Sequence, residues 1–222
     1  MLNNSKYYLI LFIFIQLSTP AIGNNIEGNP SIKNQLNNFH TIKKNQDMNI
    51  EWELKGHMMT KYNNNVTLIN KPYLNMYKIE STTNIKSDTA IDPSGKMEEI
   101  YLKNNVFINK KHLTDNAPMK MYTSYAIFYL SKNLVETDRD VTIITSDSTT
   151  TGSGLSANMD TGMIMILSNV KRTIKDIDGF RIIEGNQMIY DSNNKKWIVK
   201  DSAAHDLRKV IKKKVTTTFN IK

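Results

Sequence analysis

Few residues in this chain are spaced to make or break bonds. His40, His57, His112 and His205 are scattered, and none falls in the HExxH spacing that sets two imidazoles around a metal. Gly152-Ser153-Gly154 lacks the spacing of the Gly-x-Ser-x-Gly nucleophile elbow. No glycine-rich loop ends in the Gly-Lys-Ser/Thr that cradles phosphates. Glu98-Glu99 and Asp138 with Asp140 offer carboxylates, but adjacent or alternating acids are more often solvated strand or turn residues than an acid/base pair. Cysteine is absent, so disulfides, thiolate metal sites and a cysteine nucleophile are excluded. The chain reads as a non-enzyme with no cofactor and no metal.

The patterned residues are apolar ones in extended segments. In Met48-Asn49-Ile50-Glu51-Trp52-Glu53-Leu54-Lys55 every second residue is apolar, the period of a strand with one buried face. Trp52 at its centre either fills a core or walls a cavity. From Pro72 to Ile79, Leu74 and Met76 share one face. Asp92-Pro93-Ser94-Gly95 has turn chemistry, with proline fixing φ and glycine relaxing the exit. The stretch Met121 to Ile174 carries a strand with Ala126 and Phe128, a turn at Ser131-Lys132-Asn133, an extended run to Asp140-Val141, a second run from Thr149 to Met159, a turn at Asp160-Thr161-Gly162 and a return to Asn169-Val170. Asn105-Val106, Asp140-Val141 and Asn169-Val170 read as strand ends recurring every 30 to 35 residues or so, about the period of a repeated supersecondary unit. No long segment has helical periodicity. The expected fold class is all-β.

The 222 residues suffice for one β domain. Lys6 precedes an apolar run from Tyr7 to Ile15, followed by Pro20 and the small residues Ala21-Ile22-Gly23. This is the layout of a secretory signal cleaved after Gly23, because the run is shorter than the roughly 20 apolar residues of a membrane span. The alternative is an uncleaved anchor over Tyr7 to Ile22. Both put the rest of the chain outside the cytoplasm, which argues against nucleic acid as the partner of a net charge of +8. Residues 24–34 read as a polar linker, 35–200 as the β domain and 201–222 as a basic tail around Arg208, Lys209 and Lys212 to Lys214. That tail is a solvated extension or an electrostatic contact with phosphates or an acidic partner.

The order of hairpins, the Asn/Asp-Val units and, above all, Thr149-Thr150-Thr151-Gly152-Ser153-Gly154-Leu155-Ser156-Ala157-Asn158-Met159 followed by Val170-Lys171 resemble the LptC and LptA (OstA-like) periplasmic lipopolysaccharide-transport family, LptC most of all. The likeness covers roughly Ser31 to Ile174. It implies a β-jellyroll of two antiparallel sheets forming a slightly open sandwich, in the periplasm or anchored to the inner membrane. It further implies binding of lipopolysaccharide by its acyl chains between the sheets, and edge-to-edge contact with other Lpt bridge proteins and an inner-membrane ABC transporter, with head-to-tail self-association as a variant.

The apolar candidates for such a groove are Ile50, Trp52, Leu54, Leu74, Met76, Phe107, Ala126, Phe128, Ile143 and Met165. The resemblance puts Gly152, Gly154 and Leu155 near the edge that meets the next component. Locally, the two glycines read equally well as a β-bulge or bend in the jellyroll instead of an edge. Terminal segments, Leu36 to Lys43 at one end and Thr149 to Val170 or Phe180 to Val199 at the other, are the natural free edges. The alternative function is an exported β-sandwich adhesin or assembly protein with protein contacts only.

Overall fold

The computed structural model of the chain describes residues 30–113, 118–176 and 179–200. The expected signal segment and basic tail lie outside them. The described residues form fourteen strands: β1 (Ile32–Lys44), β2 (Ile50–Tyr62), β3 (Thr67–Asn70), β4 (Tyr73–Tyr77), β5 (Ser81–Lys86), β6 (Thr89–Asp92), β7 (Glu99–His112), β8 (Met119–Tyr129), β9 (Leu134–Ile144), β10 (Ser148–Asn158), β11 (Met163–Asp176), β12 (Gly179–Gly185), β13 (Gln187–Asp191) and β14 (Lys196–Lys200). A single 3-10 turn, Leu130–Lys132, joins β8 to β9. The fold is all-β, and β1 starts at Ile32, inside the stretch expected to be linker.

Every pairing is antiparallel, and the strands make one continuous sheet. The two sheets of the expected sandwich are the two halves of this sheet, folded over along a line of corners. β7 shows how. Its first part pairs with β6 through Tyr101↔Ile91 and Lys103↔Thr89, and its last part pairs with β5 through Phe107↔Lys86 to His112↔Ser81. Between them Asn104 and Asn105 take positive φ, and the register with β8 shifts from Lys103 to Val106. Asparagine tolerates this left-handed backbone better than most residues, and a bulge there bends the strand. The corner continues along neighbouring strands: Asn38 in β1, Lys71 between β3 and β4, Gly154 in β10 and Asn169 in β11 all have positive φ. β8, β9 and β10 shift register at the same level.

Two expectations change with this geometry. Asn105-Val106, Asp140-Val141 and Asn169-Val170 do not end strands; they lie within β7, β9 and β11, where the polar residue turns the corner and the valine after it is buried. Their spacing reports successive strands that run the same way. Gly152, Gly154 and Leu155 likewise lie at no edge, because β10 is hydrogen-bonded to β9 on one side and to β11 on the other. Gly154, at φ +72°, is a corner, and a Cβ on Gly152 would stand 2.4 Å from Ile166 Cγ2. The glycines permit the fold-over.

The turns follow their local chemistry. Asp92 accepts hydrogen bonds from the backbone amides of Ser94, Gly95 and Met97, and Asn133 closes the β8–β9 connection at φ 47°. The inner faces of the two layers share one core, in which Phe128, Ile143, Ala157, Ile166 and Met188 are completely buried. Each of the four larger side chains contributes about 1.5–3 kcal/mol relative to exposure.

Candidate functional site

The folded sheet creates an interlayer space with a spine, where strands turn the corner, and a mouth, where hairpins from the two layers meet. Six of the ten groove candidates, Leu54, Leu74, Met76, Ala126, Phe128 and Ile143, are buried in it. Trp52 is half-buried and packs against the core from the same strand face as Leu54; its indole N–H is buried without a protein acceptor. Ile50, first residue of β2, is more exposed still.

Phe107 and Met165 face the other way. The runs Val106-Phe107-Ile108 and Met163-Ile164-Met165-Ile166-Leu167 are apolar on both faces, so the period does not say which residues turn inward. Val106, Ile108, Ile164 and Ile166 are the buried ones. Phe107 instead lies against Tyr122 on the outer face, ring centroids 5.0 Å apart.

Near the spine the space is closed. Leu54, Leu74 and Ile85 from one layer meet Ile69, Ala90, Ile100, Leu102 and Phe128 from the other around a residual cavity of about 20 Å³. At the C-terminal end of the mouth it opens into a cleft of about 240 Å³. Lys110 and His112 of β7, Met119 of β8, Thr145, Ser146 and Asp147 of the β9–β10 turn and Arg172 of β11 line one side. Tyr190, Ser192, Lys195 and Trp197, from β13, β14 and their turn, line the other.

Two cations enter this cleft from inward-facing strand positions. Lys110 follows the buried Val106 and Ile108 in the alternation of β7, and Arg172 follows Val170 in β11; both are buried. Lys110 Nζ donates to Ser192 Oγ at 3.0 Å. Burial, with some repulsion from Lys78 and against the pull of Asp191, holds its ammonium below the usual lysine range. Arg172 donates through Nε to Ser148 Oγ at 3.2 Å and through Nη2 to Asp147 Oδ2 at 3.4 Å. Its guanidinium lies 4.5 Å from the Trp197 ring centre, and Trp197 stacks on Tyr190 at 4.3 Å. Burial acts to raise the Asp147 carboxyl, but the Thr145 hydroxyl, Arg172 and Ser148 outweigh it and hold the group below its ordinary value.

Sequence reasoning missed this cleft. The available signal was a lysine and an arginine occupying inward positions in otherwise apolar alternations. Trp197 and Ser192 gave none, because their approach depends on β13 and β14 folding back across the mouth.

Elsewhere the mouth is latched by side chains. Lys78, after β4, pairs with Asp160 of the β10–β11 turn and donates to the Met159 carbonyl at 3.2 Å. Asn133 holds the same carboxylate at 3.0 and 3.1 Å. Burial acts to raise Asp160, and the hydrogen bonds from Lys78 and Asn133 overcome it, so the carboxyl lies below its ordinary value. Among the described residues no backbone–backbone hydrogen bond joins the layers across the mouth. No cluster of His, Cys, Asp or Glu that could hold a metal occurs among them, and no helix there is long and apolar enough to cross a membrane.

A family model described as lipopolysaccharide-assembly, LptC-related, matches residues 9–175. No individual curated protein matches the chain. The matched span stops at the end of β11, so Lys110 and Arg172 lie inside it while Tyr190, Ser192 and Trp197 lie beyond it. Since the match covers most of the sequence and the folded sheet is a jellyroll, this chain belongs to the LptC-related lipopolysaccharide-assembly family and has a role in lipopolysaccharide transport.

Proposed function

We propose that the chain carries the acyl chains of lipopolysaccharide between its two layers and passes the lipid to neighbouring bridge proteins docked on its sheet edges. The observation that supports this most is the mouth. The interlayer space is apolar, yet among the described residues its mouth is crossed by no backbone–backbone hydrogen bond and is held through side chains such as Lys78 with Asp160, Lys110 with Ser192 and Arg172 with Trp197. The half-exposed Lys78–Asp160 pair contributes about 0–1 kcal/mol, so on both counts the layers can part there without breaking the sheet. Burying an acyl chain then gains about 0.8 kcal/mol per CH₂.

Docking needs free strand edges. Among the described residues β1 pairs only with β2, along one side, and β12 and β14 each have one partner strand. Their unpaired backbone groups suit addition of a neighbour's strand, whether from another bridge protein, the periplasmic part of an ABC transporter or a second copy. The family match begins at residue 9, inside the N-terminal apolar run, which supports the reading of that run as a retained inner-membrane anchor with the β domain in the periplasm.

A photo-crosslinking residue at Trp52 or Phe128 will capture lipid, and one at the outward Phe107 or Met165 will not. Capture from the outward positions alone would sink the carrier reading. The filled interior near the spine favours the alternative, an exported assembly protein with protein contacts only. Purification free of lipid together with edge-dependent protein capture would decide for it.

A further inference from the structure

We propose that the C-terminal mouth is a phosphate-recognition site, in which Lys110 and Arg172 bind the phosphate monoester of an amphiphile while Trp197 and Tyr190 cover the apolar stem behind it. The lipid part rests on the carrier reading above; the anion part stands on the cleft itself.

Lys110 is 4 % exposed and its ammonium meets a single hydroxyl, that of Ser192. Among the described residues no carboxylate comes within ion-pair distance of it. A buried charge left with neutral acceptors is costly, and an anion arriving in the cleft repairs the deficit. Arg172 adds a planar fork suited to two oxygens of one phosphate. Lys195 adds a third cation to the lining, against the single carboxylate of Asp147. That carboxylate, with a side chain 55 % exposed, reaches Arg172 only through Oδ2 at 3.4 Å, while the Thr145 and Ser148 hydroxyls hold its Oδ1, so a stronger acceptor can take the guanidinium from it.

Size and polarity set the ligand class. At about 240 Å³ the cleft falls below the roughly 300–1,000 Å³ of sites that enclose a whole small ligand, so it suits a headgroup whose remainder lies elsewhere. Met119, Tyr190 and Trp197 give it an apolar wall. Buried cations beside an apolar wall in one cleft fit the phosphate and the first part of the stem of an amphiphile.

The test uses the full chain with Trp52→Phe, which leaves Trp197 as the only tryptophan. Its fluorescence is followed on titration with dihexanoyl phosphatidate, dihexanoylglycerol or inorganic phosphate. Phosphatidate is expected to bind at least tenfold tighter than the other two, with affinity falling as salt rises. Lys110→Met should weaken it at least tenfold, Arg172→Gln likewise, and Lys120→Ala on the exposed outer surface should leave it unchanged. A circular-dichroism melt of each variant separates lost binding from lost fold, and either cleft variant alone suffices.

Unchanged phosphatidate binding in a folded Lys110→Met or Arg172→Gln chain overturns the site, while lipid capture from Phe128 would still leave the carrier reading standing. Equal affinity for phosphatidate and inorganic phosphate, lost in Lys110→Met, retains the anion site and overturns its lipid part. Binding of dihexanoylglycerol as tightly as phosphatidate overturns the role of phosphate altogether.

Discussion

The two ends of the interlayer space share β7 and β8 and behave as different materials. Near the spine, Leu54, Ile69, Leu102 and Phe128 interdigitate until a cavity of only about 20 Å³ is left. At the C-terminal mouth, one strand position further along the same alternation, Lys110 and Arg172 replace the aliphatic side chains and a cleft of about 240 Å³ opens. Apolar side chains fill space because they need no specific partner. Buried cations keep space open because their hydrogen bonds demand fixed geometry and accessible acceptors. The filled end gives the jellyroll its stability, and the polar end is where it can admit something.

Mutations test that division, beginning with the largest effect. Phe128→Ala removes a ring with no exposure at the junction of the layers and should cost about 3–5 kcal/mol, seen as a large fall in melting temperature. Gly154→Ala forces a Cβ into a left-handed corner at φ +72° with Leu167 Cδ1 3.0 Å away; a loss of about 1–2 kcal/mol is expected. A Gly154 variant that kept full stability but lost partner capture would return that residue to an edge role.

Lys110→Met moves in the opposite direction. Burial holds the ammonium below its unfolded range, so at neutral pH the folded state bears the cost of a charge that the unfolded chain solvates. Replacing it with a side chain of similar length should raise stability by about 1 kcal/mol. The sign follows from the depressed pKa: the wild-type protein gains stability as pH rises through the folded pKa toward about 10.4, and the variant's advantage disappears there. Denaturant melts of both proteins against pH check this. A variant less stable than wild type at pH 7 would mean that Lys110 supports the filled end instead of opening the mouth.

The smallest effect belongs to the latch. Asp160 lies below its ordinary value through Lys78 and Asn133, so its contribution is complete above about pH 4 and is lost as pH falls through the folded pKa. Its side chain is half exposed, and Asp160→Asn should cost about 0–1 kcal/mol. Faster amide exchange confined to the β10–β11 turn and the β4–β5 connection is the expected readout. Acceleration throughout the sheet would show that the mouth is not a separate unit.

Sequence alone carried much of the fold. The alternation in Ile50-Glu51-Trp52-Glu53-Leu54 and the turn residues Asp92-Pro93-Ser94-Gly95 and Asp160-Thr161-Gly162 specify strand faces and hairpins through local physics, and the structure has them where expected. Local pattern failed where apolar residues run on both faces, as at Phe107 and Met165. There, inward and outward are decided by which side chains meet the opposite layer. It also failed at the corners, because an asparagine or glycine that ends a strand and one that bends it through are chemically alike. The cleft was least visible: Arg172 and Trp197 are 25 residues apart in sequence and meet only after β13 and β14 fold back across the mouth.

Locking the mouth tests the central claim most directly. The chain has no cysteine, so Lys78→Cys and Asp160→Cys can be bridged by a short, reductively cleavable thiol cross-linker. The bridged protein is expected to lose uptake of photo-reactive lipopolysaccharide and to regain it on reduction. Undiminished uptake with the bridge intact would contradict entry between the layers.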